Sequence, residues 1–178
     1  MPGRQQLVRV YAIIVLILYN WTIIYWLTRL PGWRVFLTPW EILGILDFSL
    51  TTALLESLLV LCLPMIVAVC LPRPWFGDSF VARGGALVAA VLAYMMFLDI
   101  QFKHEMLYPA LPLSGWVLVL PLVLIVPLVL AAGRITALRR AVEALAERAT
   151  IFLYIMLPLS GISVILLLAR SLISVVAS

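Results

Sequence analysis

The sequence predicts an all-α, polytopic integral membrane bundle of about five transmembrane helices, with a charged amphipathic segment on one side. Three observations lead there. Hydrophobic residues fill 66% of the 178 positions and charged residues only 11%, against roughly a quarter charged in an ordinary soluble domain. So few charges cannot cover a water-facing surface. The apolar residues also fall in runs near the ~20 needed to cross a bilayer. Between the runs lie short stretches rich in Pro, Arg and Trp, the composition of headgroup-level connectors. The chain reads as one transmembrane domain, 1–178.

Helix 1 is expected over residues 7–27, with Asn20 and Thr22 its only interruptions after Arg9 and Trp21, Tyr25 and Trp26 gathered toward its far end, where an aromatic belt sits. The start of the chain is basic, but the apolar run behind it is too long for a cleavable signal and lacks a small-residue exit, so the helix reads as a retained anchor. Residues 28–40 contain Arg29, Pro31, Gly32, Trp33, Arg34 and Pro39 and suit a connector lying along the headgroups.

Helix 2 is expected over 41–69. At 1.5 Å per residue it exceeds the ~30 Å hydrocarbon core, which calls for tilt, a kink at Pro64 or projection into the interface. A loop over 71–82 is marked by Pro72, Pro74 and Gly77. Helix 3, over 83–102, repeats Gly85, Ala89 and Ala93 every four residues. Such a small-residue ridge admits close helix approach, to other membrane subunits or to a second copy. Helix 4, over 113–132, carries Pro121 and Pro127, which should bend it.

Residues 134–150 are the one clearly amphipathic piece. Ile135, Leu138, Val142, Leu145 and Ala149 alternate steps of three and four, while Arg139, Arg140, Glu143, Glu147 and Arg148 fall mostly on other faces. The segment either lies on the membrane surface or runs straight on into helix 5, over 151–176, and its charges could dock a partner. Basic residues near the helix ends divide unevenly: Arg4, Arg9, Arg73, Arg83, Arg134, Arg139, Arg140 and Arg148 on one side, Arg29, Arg34, Lys103 and Arg170 on the other. The positive-inside bias puts the N-terminus in the cytoplasm and the C-terminus outside a plasma or inner membrane of prokaryotic type. The net charge of +4 then reads as contact with anionic lipids rather than nucleic acid.

Ionisable groups inside a membrane are functional candidates, because each costs ~2.5–3.5 kcal/mol at the bilayer centre. Helix 2 holds Asp47 and Glu56. Asp47 lies a few residues from the outer end, and Asn20 at similar depth is its expected hydrogen-bond partner. Glu56 sits near mid-helix with no Lys, Arg or His at its depth. It shares a helical face with Ser49 and Thr52, whereas Asp47 points nearly the opposite way, so the two acids are not a catalytic pair. Glu56 is expected to face the bundle interior, with Tyr94, Ser160 or Ser163 as partners.

Little else suggests chemistry. Cys62 and Cys70 share one apolar stretch without metal-ligand spacing. His104 is the single histidine; it could ligate a haem or pigment, yet no second ligand pattern accompanies it. HExxH, GxSxG, P-loop and GxGxxG motifs are missing, so no enzyme and no cofactor is expected. The leading expectation is a non-enzymatic subunit or scaffold of a larger membrane assembly. A small proton- or ion-coupled transporter acting as an oligomer is the alternative, and a redox or pigment-complex accessory subunit comes third.

Overall fold

The computed structural model describes residues 3–70, 79–107 and 115–176. Every regular element in them is helical: α1 (Arg4–Phe36), α2 (Pro39–Cys70), α3 (Phe80–Leu107), α4 (Gly115–Arg134) and α5 (Thr136–Val176). Apolar chain surrounded by lipid has to satisfy its backbone internally, and a helix does this within one segment. Among the described residues, α1, α2, α3 and α5 are each long and apolar enough to cross a membrane, and α4 adds a shorter apolar stretch, Val123–Arg134. Large apolar side chains remain open on the outside, among them Leu59 at 71%, Val69 at 74% and Ile165 at 67% exposure. A soluble monomer leaves no such continuous apolar coat, so the chain is built for a membrane.

The helices alternate in direction. At one end the start of α1 meets the start of α5, through an Arg9–Glu147 ion pair of 3.2 Å. Pro64 of α2 and Gly84 of α3 also meet near this end. There Arg83 lies against Gly133, in the last turn of α4, where any side chain at position 133 would overlap its guanidinium. The carbonyl end of a helix favours a cation. At the opposite end Asp47 of α2 faces Arg170 of α5.

Helix α1 is the centre of the bundle. Ala12, Ile13, Ile14 and Val15 are all essentially inaccessible, and four consecutive buried positions require neighbours on every side of a helix. Those neighbours are α2, α3 and α5, while α4 packs outside them against α3 and α5. Gly85 sits where α1, α3 and α5 converge. An added Cβ would stand 2.7 Å from Ile13 Cδ1 and 2.9 Å from Val142 Cγ1. The first residue of the small-residue ridge is therefore covered within the chain. Ala89 is half-buried and Ala93 exposed.

Three sequence expectations need correction or completion. Residues 28–36 form no headgroup connector; α1 stays helical through Phe36 and the break is confined to Leu37 and Thr38. Pro31 removes one hydrogen bond, to the Leu27 carbonyl, on a part of the helix that is exposed. Trp33, two turns beyond Trp26, packs edge-on against it at 6.5 Å, which holds the extension together. The break itself follows from Pro39, which pushes Thr38 out of the helical region, and from a capping box. The Thr38 N–H donates to the Glu41 carboxylate at 2.8 Å, and the Glu41 N–H donates back to Thr38 Oγ1 at 3.4 Å. Helix α3 continues past 102 to Leu107. Of the amphipathic segment 134–150, Arg134 ends α4 and residues 136–150 are the first part of α5, with Ala146 and Ala149 buried. The face that packs on α1 and α3 is Val142, Ala146 and Ala149, whereas Ile135 and Leu145 of the expected stripe are exposed; the segment does not lie free on a surface.

Candidate functional site

Two polar constellations separate on opposite faces of α2. On one face Trp40, Gly44 and Asp47 follow each other by steps of four and three, so they stack along the helix. Arg170 reaches across from α5. Its guanidinium carbon sits 4.3 Å from the Trp40 ring centre, and Nη1 stands 3.6 Å from Asp47 Oδ2. The chain passes over Gly44, where a Cβ would lie 2.5 Å from Nη1. Glycine is what lets the cation lie flat on this helix. Asp47 is buried and partnered by a charge from α5, not by Asn20. Asn20 is exposed and donates from Nδ2 to the Leu16 carbonyl of its own helix at 2.7 Å. Arg170 was legible in the sequence as a basic residue on the outer side, but its reach to Asp47 depends on how α5 packs.

Glu56 points away from the positions expected of it. Ser160 is buried and bonded to the Tyr19 hydroxyl at 2.5 Å, and it donates to the Met156 carbonyl. Ser163 donates to Leu159 of its own helix, and Tyr94 is engaged elsewhere. The inward polar residue of α2 is Ser57, not Glu56: its hydroxyl meets Tyr11 Oη at 3.1 Å and donates to Leu54. Glu56, one residue earlier, is exposed. Among the described residues no hydrogen bond or ion pair reaches its carboxylate.

What Glu56 faces is a groove of ≈ 510 Å³ walled by α1, α2 and α3. From α1 come Trp21, Thr22, Tyr25, Trp26 and Trp33; from α2 come Phe48, Ser49, Thr52 and Glu56; Asp99 enters from α3. Position follows from spacing: 49, 52 and 56 share a face of α2, while 22, 26 and 33 share one of α1. Ser49 and Thr52 donate their hydroxyls to the carbonyls of Ile45 and Phe48, leaving their oxygens free to accept. Arg29 lies over the Tyr25 ring at 5.2 Å. The Trp26 indole N–H is buried without an acceptor. The tryptophans, read from sequence as a belt, thus line one concave wall together with the acid of α2. Aromatic spacing of one and two turns on helix 1 was the available signal; that α2 presents Glu56 to the same space was not readable from one strand of sequence.

At the other end, Arg4, Gln5, Arg9, Glu147 and Thr150 surround a second hollow. The charged residues of 136–150 divide in two. Arg139 pairs with Glu143 at 2.9 Å, and Glu147 with Arg9, whereas Arg140 and Arg148 are exposed. His104 falls in the last turn of α3, and its side chain lies outside the described residues, as do the loops 71–78 and 108–114. Among the described residues, no cluster of three His, Cys, Asp or Glu side chains is placed to hold a metal. Comparison with family models, with curated proteins and with solved structures gave no match.

Proposed function

We propose that the protein is a small membrane carrier that exchanges a proton for a cation at Glu56. One observation carries this reading: a carboxyl group about 25 Å along α2 by the helical rise stands exposed on the wall of a ≈ 510 Å³ groove, with no partner among the described residues. An acid at such depth is costly. A packing role would give it a partner on a neighbouring helix, as Tyr11 meets Ser57 and Tyr19 meets Ser160. A carboxylate held open can instead bind a proton or a cation by turns, which is the minimum a coupled carrier needs. The prolines inside α2, α4 and α5 supply places where those helices can flex. The positive-inside bias orients the carrier with its N-terminus in the cytoplasm of a prokaryotic inner membrane.

The test is proton flux in proteoliposomes, driven by a pH gradient and read with an internal dye. Wild-type protein should dissipate the gradient faster than protein-free liposomes, and Glu56→Gln should return the rate to background. Equal flux in wild type and Glu56→Gln would remove the proposal.

A second reading, a non-enzymatic subunit of a larger membrane assembly, is supported by the exposed Arg140 and Arg148 on the projecting part of α5. Co-purification in mild detergent that is lost on reversing both charges would favour it.

A further inference from the structure

We infer that the ligand of the Glu56 groove is a hydrophobic organic cation of drug-like size, an amine, quaternary ammonium or phosphonium, rather than a bare metal ion. This deepens the carrier reading and rests on it. Size argues first. Pockets for drug-sized molecules hold about 300–1,000 Å³, and the groove holds ≈ 510 Å³, far more than a dehydrated inorganic ion fills.

The wall argues next. Trp21, Tyr25, Trp26, Trp33 and Phe48 surround the space into which Glu56 opens. Aromatic faces carry the negative part of the ring quadrupole and attract cations, most strongly where water is displaced. A hard divalent ion takes six or more oxygen ligands, whereas most of this wall is carbon. One of these rings already holds a cation of the protein's own, from outside the groove: the Arg29 guanidinium over Tyr25 at 5.2 Å. A flat or bulky organic cation can spread over several rings and still set its charge against the Glu56 carboxylate.

Access argues last. Glu56, Phe48 and Tyr25 are all exposed on the outside of the bundle, so the groove opens sideways. A hydrophobic cation partitions into the bilayer and can enter from there without crossing water. A proton and an organic cation exclude each other on one carboxyl group, so the arrival of either releases the other. Charge is conserved in the exchange when one proton leaves as one monovalent cation binds.

Equilibrium dialysis of the full chain in neutral phosphatidylcholine nanodiscs tests this, with empty nanodiscs subtracted. The probes are tetraphenylphosphonium, its isosteric anion tetraphenylborate, and sodium chloride as competitor. Saturable binding of the phosphonium at one per chain is expected, with no saturable binding of the borate. Glu56→Gln should weaken the phosphonium by about tenfold or more, and Trp21→Leu should weaken it more than Trp21→Phe, which keeps a ring. Saturable binding of both probes, an unchanged affinity in Glu56→Gln, or displacement by millimolar sodium would each overturn the inference. The unmodified protein alone decides between cation and anion, so a variant that fails to fold does not shield the claim. Glu56-dependent proton flux without phosphonium binding would sink the ligand class and leave the carrier standing. Charge-selective binding without Glu56-dependent flux would do the reverse.

Discussion

Tyr19 and Ser160 show how the energy of a buried contact depends on which partner is removed. Ser160 donates to the Met156 carbonyl, so the Tyr19 hydroxyl must be the donor between them. Tyr19→Phe leaves the serine satisfied and should cost about 0.6 kcal/mol, the average for interhelical hydrogen bonds in membranes. Ser160→Ala leaves a buried phenol without an acceptor and should cost about 1–3 kcal/mol. Thermal unfolding in detergent should rank Ser160→Ala below Tyr19→Phe, with the double variant more stable than Ser160→Ala alone. The Asp47 pair obeys the same logic. Arg170→Ala strands a buried carboxylate, though the arginine side chain is 29% exposed, so roughly 1–3 kcal/mol is expected, less than for a wholly buried pair. Gly44→Ala should act through the same contact: its methyl displaces the tip of a flexible side chain rather than backbone. The two substitutions should therefore be non-additive in a double-mutant cycle. Additive losses would mean that Gly44 matters for some other reason.

Single helices carry their own tests. The break between α1 and α2 is set by Thr38, Pro39 and Glu41, a signature visible in the sequence as Thr-Pro-Trp-Glu. Thr38→Ala should cost about 1 kcal/mol, measured by unfolding in detergent. The ridge of α3 divides by where its residues fall. Gly85→Val should destabilise by about 1–3 kcal/mol, because its branches meet Ile13 and Val142. Ala93→Val, on an exposed position, should stay within ~0.5 kcal/mol. If Ala93→Val instead disrupted a higher assembly seen by size exclusion, the outer end of the ridge would be the self-association surface. The Arg9–Glu147 pair is 43% and 62% exposed, and its removal should change stability by under about 1 kcal/mol. What fixes 136–150 is the buried Ala146 and Ala149 face, not that ion pair.

Across the whole molecule, helix lengths and side-chain exposures set which groups water and lipid can reach. At 41 residues α5 extends ~60 Å, twice the ~30 Å hydrocarbon core, so its charged first part stands clear of the lipid on the side of Arg4 and Arg9. Cys62 and Cys70 are both exposed, but they sit at different heights of α2. Cys70 ends the helix at the N-terminal side of the bundle, whereas Cys62 lies two turns inside. A charged, membrane-impermeant maleimide should label Cys70 in inside-out vesicles and spare it in intact cells, and it should spare Cys62 in both. Labelling of Cys70 from outside would reverse the proposed orientation, which rests on the positive-inside bias.

Fold class, helix number and the alternation of helix direction were legible without coordinates. Each follows from a local rule, that lipid forces an apolar run to satisfy its own backbone. The contrast between the faces of Asp47 and Glu56 was legible too, because helical periodicity fixes which residues share a side. Which side faces inward is another matter. Helix α2 is apolar nearly all round, so its sequence carries no stripe to mark the core. The packing of α1 at the centre decided that Ser57 turns inward and that Glu56 opens onto the tryptophans, and the packing of α5 on α2 that Arg170 rather than Asn20 meets Asp47. In a medium as apolar as the side chains themselves, burial is chosen by fit and not by hydrophobicity, and fit is a property of several helices at once.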